Sequence, residues 1–267
     1  NIFNTYDSTQ LREHILTFGG IGTLDTKTEG EAVNYTSPVE GFLTTFTHVV
    51  YAKGIRITEE QWSDDLYGVM EDSPAELGGA AYANRESITA NHFNNGFDSN
   101  FTGGDGVELF STAHVRENGE TYKNKLTTDA DLSRTSLEQA NIDFRNFRTG
   151  GGRRMQIKPT TLLVPPDLQY EAVRILDSEL QPEDDTNAVN PLSKTGLTLQ
   201  VWDYLTDTDA WFLLADKSNH KLTIYDREPF TTSHIFDFDT GDIKFKGKER
   251  FSSLWGDPRG MFGSQGS

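Results

Sequence analysis

The sequence predicts an α+β protein, and three observations carry that reading. The run G-F-L-T-T-F-T-H-V-V-Y, Gly41 to Tyr51, is dense in β-branched and aromatic residues, the composition of a strand. Two capping boxes, T-E-E-Q at Thr58–Gln61 and S-P-A-E at Ser73–Glu76, open a stretch whose apolar residues recur on one helical face. Four short apolar runs between Leu197 and Phe238 read as strands, and the alternating I-K-F-K-G-K-E-R-F of Ile243–Phe251 follows them.

In chain order, residues 1–23 form an arm with scattered anchors, among them Phe3, Leu11, Ile15, Leu16 and Phe18, and end in G-G-I-G-T. A short helix is expected over Gln10–Phe18. The run E-A-V-N-Y-T-S-P-V-E-G, Glu31 to Gly41, is the expected partner of the strand after it. A two-stranded excursion of that kind is marginal alone in water, so it is expected to lie on something else. Trp62, Leu66, Val69 and Met70, then Leu77, Ala81, Asn84 and Ile88, carry a slightly broken helical rod of roughly 35 residues, about 50 Å long. A further helix is predicted over Thr135–Arg148 on Leu137, Ala140, Phe144 and Phe147, ended by Gly150–Gly152. Thr160–Leu176 reads as strand, proline punctuation and helix, with Leu168, Ala172, Ile175 and Leu176 on one face. An acidic loop, Glu183–Asn187, comes next, and D-T-G-D at Asp239–Asp242 makes a turn. The Gly/Ser-rich tail to Ser267 is expected to fray.

Composition narrows the function. With 24 basic against 41 acidic residues the net charge is −17, and such a surface repels phosphate, which argues against sequence-independent binding to the outside of DNA. Zero cysteines exclude disulfides, thiolate metal sites and cysteine nucleophiles. No apolar run approaches the roughly 18 residues that would span a bilayer, and no basic-then-apolar leader is visible after Asn1. Seventeen phenylalanines in a chain only 35% hydrophobic suit limited cores that complete their burial against neighbours.

No catalytic, cofactor or metal constellation assembles. Ser111 and His114 stand three apart, but in an extended segment such positions face opposite ways, and no G-x-S-x-G elbow surrounds the serine. They are read as holding a loop in which Leu109 and Phe110 point inward. The six histidines are dispersed without metal spacing. Asp237-x-Asp239 begins like a calcium loop, but its twelfth position is Lys248, where a bidentate glutamate is needed, so a hairpin turn is expected. Gly103, Gly104 and Gly106 lack the strand-then-helix setting of a phosphate cradle. One basic concentration stands out: Arg145, Arg148, Arg153, Arg154 and Lys158. In so acidic a chain it is expected to meet carboxylates, its own or a neighbour's, in preference to nucleic acid.

Five motifs in order carry a resemblance: G-I-R-I-T-E-E-Q (54–61), D-G-V-E-L-F-S-T-A-H (105–114), P-T-T-L-L-V-P-P-D-L (159–168), Y-L-T-D-T-D-A-W-F-L-L-A-D (204–216) and R-F-S-S-L-W-G-D-P-R-G (250–260). Each is weak alone. As an ordered set over about 80% of the chain they resemble the major capsid proteins of tailed double-stranded-DNA bacteriophages, of the Hong Kong 97-type fold and the Mu-like major head subunit group.

That resemblance implies a layout: an N-terminal arm (1–23), an extended loop lying over the adjacent subunit (24–56), and a peripheral domain (57–159) with a spine helix near 57–97. An axial domain (160–237) and a return to the peripheral domain with the tail (238–267) complete it. It implies a non-enzymatic, cofactor-free shell protein that assembles with itself as pentamers and hexamers around double-stranded DNA. Portal, scaffold or protease and decoration proteins are the implied further partners, with assembly in the host cytoplasm and residence in the virion. Candidate inter-subunit contacts are Phe42, Phe46 and Tyr51 of the loop, the cations Arg145, Arg148, Arg153, Arg154 and Lys158, and the acids Glu183, Asp184 and Asp185. Lys53 lies near the base of the loop, but no pattern assigns it a cross-linking partner. An encapsulin-type nanocompartment is the alternative function, and a Ser/His hydrolase a remote one.

Overall fold

The structure is a computed structural model that describes residues 2–37, 39–65, 68–178 and 189–267. In order its elements are β1 (Asn4–Asp7), β2 (Arg12–Phe18), β3 (Glu40–Thr47), β4 (Val49–Ile57), α1 (Glu59–Ser63), α2 (Val69–Asn94), β5 (His114–Val115), β6 (Thr121–Tyr122) and α3 (Arg134–Arg145). Then come β7 (Thr161–Val164), α4 (Gln169–Asp177), β8 (Thr198–Val201), β9 (Trp211–Leu214), β10 (Leu222–Phe236), β11 (Ile243–Trp255) and β12 (Met261–Ser264). The Glu183–Asn187 loop and Leu66 lie outside the described residues.

Two four-stranded sheets organise the body. The first has the order β1-β10-β11-β4, with β1 parallel to β10 and the rest antiparallel. β10 is one strand where the sequence suggests two. Its register with β11 shifts around Glu228, next to Pro229, which has no N–H to give to a ladder. In the second sheet, β12-β9-β7-β8, the strands β12, β9 and β7 are buried on both faces, so β9 and β12 are continuous apolar or small-residue runs, while the edge strand β8 alternates between exposed and half-buried residues. On one face Leu162, Val164, Trp211, Leu213 and Phe262 pack under α3 and α4; on the other, Leu163, Phe212, Leu214 and Met261 meet Phe93, Phe110 and Trp255. Phe110 and Phe93 each lie 5.1 Å from Phe212, ring centre to ring centre, so the loop after α2 is nailed into this second core.

The helices follow the sequence with two adjustments. Thr58 caps α1 as expected: its side chain accepts from the Gln61 N–H while the Gln61 side chain accepts from the Thr58 N–H. The rod is broken between Ser63 and Val69, and α2 starts ahead of Ser73, so Pro74 lies inside the helix and the S-P-A-E box does not mark its start. With 26 residues, α2 is about 39 Å long and packs on β11 and β4. α3 is capped by Ser133 and Ser136 and buries Leu137, Ala140 and Phe144.

Three expectations are corrected. Arg12–Phe18 is a strand and not a helix: its exposure alternates along the chain, with Glu13, Ile15 and Thr17 turned inward. It is this strand, and not residues 31–41, that pairs with β3, from Arg12↔Thr47 to Phe18↔Glu40. The two-stranded excursion therefore exists, but its partner is the arm, and residues 19–37 belong to its tip. The C-terminal tail does not fray. β12 pairs with β9 from Met261↔Leu214 to Ser264↔Trp211, and Phe262 and Ser264 are fully buried.

Candidate inter-subunit surfaces

The ribbon β2–β3 is rooted by a buried ion-pair cluster. Arg259 donates to both oxygens of Glu117, from Nη2 to Oε1 at 2.9 Å and from Nη1 to Oε2 at 3.2 Å, and its Nε donates to Asp257 at 2.9 Å. Burial works against the guanidinium charge, yet Asp257 and Glu117 hold the Arg259 pKa above its ordinary value. The neighbouring Tyr122 hydroxyl is raised in turn, by burial first and by Asp257 second. Glu117 reaches under the ribbon's root because there is no side chain at Gly150: a Cβ there would collide with Glu117 Oε2. Beside it Gly151 approaches Gly22 so closely that a Cβ would lie 2.6 Å from the Gly22 nitrogen. Sequence reasoning missed this cluster. Arg259 sits in the R-F-S-S-L-W-G-D-P-R-G motif, but its partner is 142 residues away and nothing local joins them.

Beyond this root the chain leaves much uncovered. Leu11, Leu16, Phe18, Ile21, Leu24, Val33, Tyr35, Val39 and Leu43 are all exposed, Leu24 at 95% and Tyr35 at 91%. A second apolar patch caps the far end of the β10–β11 hairpin, where Ile235, Phe236 and Phe238 are exposed beside the Lys244–Asp237 ion pair (2.5 Å). That pair belongs to a hairpin turn in which the Asp239 N–H donates to Asp237, as expected of D-F-D-T-G-D.

The candidate residues separate into groups. Phe46 is buried inside the subunit, edge-on to Tyr225 at 5.0 Å. Phe42 is half-buried, its backbone N–H donating to Thr17 Oγ1 at 2.7 Å, and Tyr51 is half-buried against Phe251 at 5.0 Å. Tyr51 also lines a groove of about 400 Å³ between β4, β11 and α2, and burial raises its hydroxyl pKa. Arg145, Arg148, Arg153, Arg154 and Lys158 are all exposed, and among the described residues none has a carboxylate partner. Glu183, Asp184 and Asp185 lie outside the described residues.

The serine–histidine pair is a loop fastening. Ser111 Oγ accepts the Ala113 N–H at 3.3 Å, while His114 spans Asp105 Oδ2 (2.6 Å) and the Leu109 carbonyl (3.2 Å). Both are buried, and no bond joins them. Among the described residues no group of His, Asp and Glu could hold a metal ion, and no helix is long and apolar enough to cross a membrane.

Comparison with known proteins agrees with this architecture. Over 83 residues the chain is 36% identical to the Mu-like prophage FluMu major head subunit of Haemophilus influenzae, a match covering 31% of this chain and 25% of that protein. The chain therefore aligns with a quarter of that relative's length. Among solved structures, the bacteriophage JBD30 capsid superposes with a TM-score of 0.62 at 14% identity, over 76% of this chain and 89% of that one. The capsid of cyanophage P-SCSP1u superposes with a TM-score of 0.63 at 10% identity, over 98% and 86%. The fold is the Hong Kong 97-type capsid fold, as the five motifs imply. The phage capsid protein family model matches residues 43–263, which takes in β4, β10 and β11 of the first sheet, nearly all of the second, α2 and the Glu117–Arg259 root: the chain belongs to the phage capsid protein family, a structural component of the virion and not an enzyme.

Proposed function

We propose that this capsid protein builds its shell by quasi-equivalent self-assembly, as homo-pentamers and homo-hexamers that close an icosahedral head around double-stranded DNA. In the proposed layout residues 1–23 are the arm, 24–56 the extended loop, 57–159 and 238–267 the peripheral domain and 160–237 the axial domain. The observation that carries the reading is the apolar surface along the arm and ribbon, nine large side chains from Leu11 to Leu43 left exposed by the subunit itself. Fully burying one such side chain returns roughly 1.5–3 kcal/mol. Nine supply on the order of 10 kcal/mol even after a large discount for partial burial and for ordering the loop. A neighbouring subunit is the surface that would recover it, which makes stability inseparable from assembly.

The charge of −17 suits a shell interior that contains packed DNA without gripping it. Portal, scaffold or protease, and decoration proteins complete the proposed partners, with assembly in the host cytoplasm. The JBD30 capsid is known decorated with minor capsid protein trimers, which supports decoration as a partner class here. Negative-stain microscopy of the purified chain tests the proposal, with closed shells as the expected result. Reversing Arg153 and Arg154 to Glu is expected to abolish shells while leaving the far-UV circular dichroism unchanged. Normal heads from that variant would remove the cationic stretch from the assembly surface, and a wild-type chain that stays monomeric would refute self-assembly.

A further inference from the structure

The ribbon β2–β3 is a sheet of its own and joins the first sheet through two short links, Ser8–Leu11 between β1 and β2 and His48 between β3 and β4. The two links meet at one imidazole. His48 is 6% exposed; its Nε2 lies 3.1 Å from Ser8 Oγ in the other link, and its Nδ1 lies 3.1 Å from Ser252 Oγ on β11. Ser8 and Ser252 are buried with it.

Proton counting fixes the direction of each bond. The Ser8 hydroxyl has one proton, which goes to Glu13 Oε1 on β2 at 2.6 Å, and the same oxygen accepts the Gln10 N–H at 3.2 Å. Ser8 Oγ is therefore an acceptor toward His48, and the ring proton sits on Nε2. Nδ1 is left as a lone pair that accepts the Ser252 hydroxyl. A second proton on the ring goes to Nδ1, the nitrogen that faces Ser252. The bond to Ser8, backed by Glu13, then gains charge. The bond to Ser252 loses its acceptor.

The surroundings favour the neutral ring. Burial opposes the second proton most, Arg250 on β11 and Arg227 on β10 oppose it too, and Glu13 on β2 favours it, so the His48 pKa lies below its ordinary value. Tyr225, opposite Ser252 in the β10–β11 register, has its hydroxyl raised by burial and then by Glu13, and it stays neutral in acid. Tyr6 on β1 packs beyond it at 5.8 Å. The contribution of the neutral ring is complete above about pH 6.5 and is lost as pH falls toward the lowered value.

We propose that His48 is an acid-released fastening: neutral, it holds the base of the ribbon to β11, and protonated, it lets go of Ser252 while staying bonded to Ser8. The Glu117–Arg259 root is a second fixture of a different kind, because Arg259 keeps its charge throughout this range. Acid thus loosens the ribbon at its base and leaves it held at its root. The proposal concerns the single subunit and stands apart from the self-assembly reading.

Spin labels test it, because a chain without cysteine takes them only where they are placed. R12C on β2 and T232C on β10 put one label on the ribbon and one on the body, both at exposed positions. Double electron–electron resonance on the unassembled subunit should give a narrow distance distribution at pH 7 and one at least about twofold broader near pH 4.5, reversibly. H48Q keeps a donor and an acceptor but takes no proton, so it should stay narrow at both. S252A should be broad already at pH 7. H92Q should broaden as the wild type does, which separates the joint from a general loosening of the body. A wild-type distribution that does not change, or an H48Q chain that broadens as the wild type does, overturns the proposal. Should H48Q fail to fold, S252A decides alone: a broad distribution at pH 7 sustains the fastening, and a narrow one overturns it.

Discussion

Two sets of arginines flank the same glycine turn and are used in opposite ways. Arg259 is 8% exposed in its side chain and makes bonds to two carboxylates, Glu117 and Asp257, one of which lies against Gly150. Arg148, Arg153 and Arg154, on the turn itself, are exposed and meet no carboxylate among the described residues. The difference teaches that a cation's neighbours in sequence say little about whether its charge is available. Arg259 follows Asp257 and Pro258 closely, and its charge is consumed inside the subunit. The arginines of the turn keep theirs for a surface.

The largest expected effect breaks the inward half of that contrast. Arg259→Ala leaves the Glu117 carboxylate, 2% exposed, without its counter-ion. Removing one partner of a buried pair costs about 3–5 kcal/mol, much of it the penalty of stranding the other charge. Urea unfolding of the unassembled subunit should show that loss for Arg259→Ala and a change within about 0.5 kcal/mol for Arg154→Ala. Equal losses would erase the distinction between the two sites.

An acid titration separates the same two regions with a smaller effect. His92 and His220 both belong to the body, and burial first of all pushes their pKa values down to about 4. The Ser253 contact opposes the shift at His92, while Lys217 adds to it at His220. In the unfolded chain both return to about 6.5, so the unfolded state binds more protons between the two values. Their contribution is therefore complete above pH 6.5 and is lost as pH falls toward 4, at most about 2–3 kcal/mol for each histidine. Arginines keep their charge throughout that window. Subunit stability measured by urea at pH 7 and pH 4.5 should fall, and His92→Gln should flatten the slope; an unchanged slope would mean that His92 titrates normally in the fold.

What could be read from the sequence depended on how far each signal travels along the chain. The capping box at Thr58–Gln61, the buried stripe of α3 and the proline-punctuated entry to α4 are local, and each stands where periodicity places it. The strand Arg12–Phe18 is not legible because Leu11, Ile15, Leu16 and Phe18 also match a helical face, and its strand partner begins only at Glu40. β12 is not legible because Gly263 and Ser264 look like tail residues. Yet a Cβ on Gly263 would come within 3.0 Å of both Phe110 and Phe212, so the small residue is what lets the strand enter the core. The cationic turn was legible as composition, whereas its lack of internal partners is a fact of three-dimensional packing. The Glu117–Arg259 root, joined across 142 residues, left no local trace at all.

The smallest effect on the subunit is expected where the sequence is most apolar and least packed. Leu24 and Tyr35 are almost fully exposed, so replacing both by Ser removes no contact from the subunit's own core. Its unfolding free energy should stay within about 0.5 kcal/mol of wild type. If the tip is a docking surface, the same double variant gives up two side chains worth roughly 1.5–3 kcal/mol each when buried at an interface. A loss of only 1.4 kcal/mol is already a tenfold change in an association constant. The critical concentration for shell formation, followed by light scattering, should therefore rise at least tenfold while the urea midpoint stays fixed. A subunit that loses stability instead would place these side chains in the fold's own interior and move the tip to the same side of the comparison as Arg259.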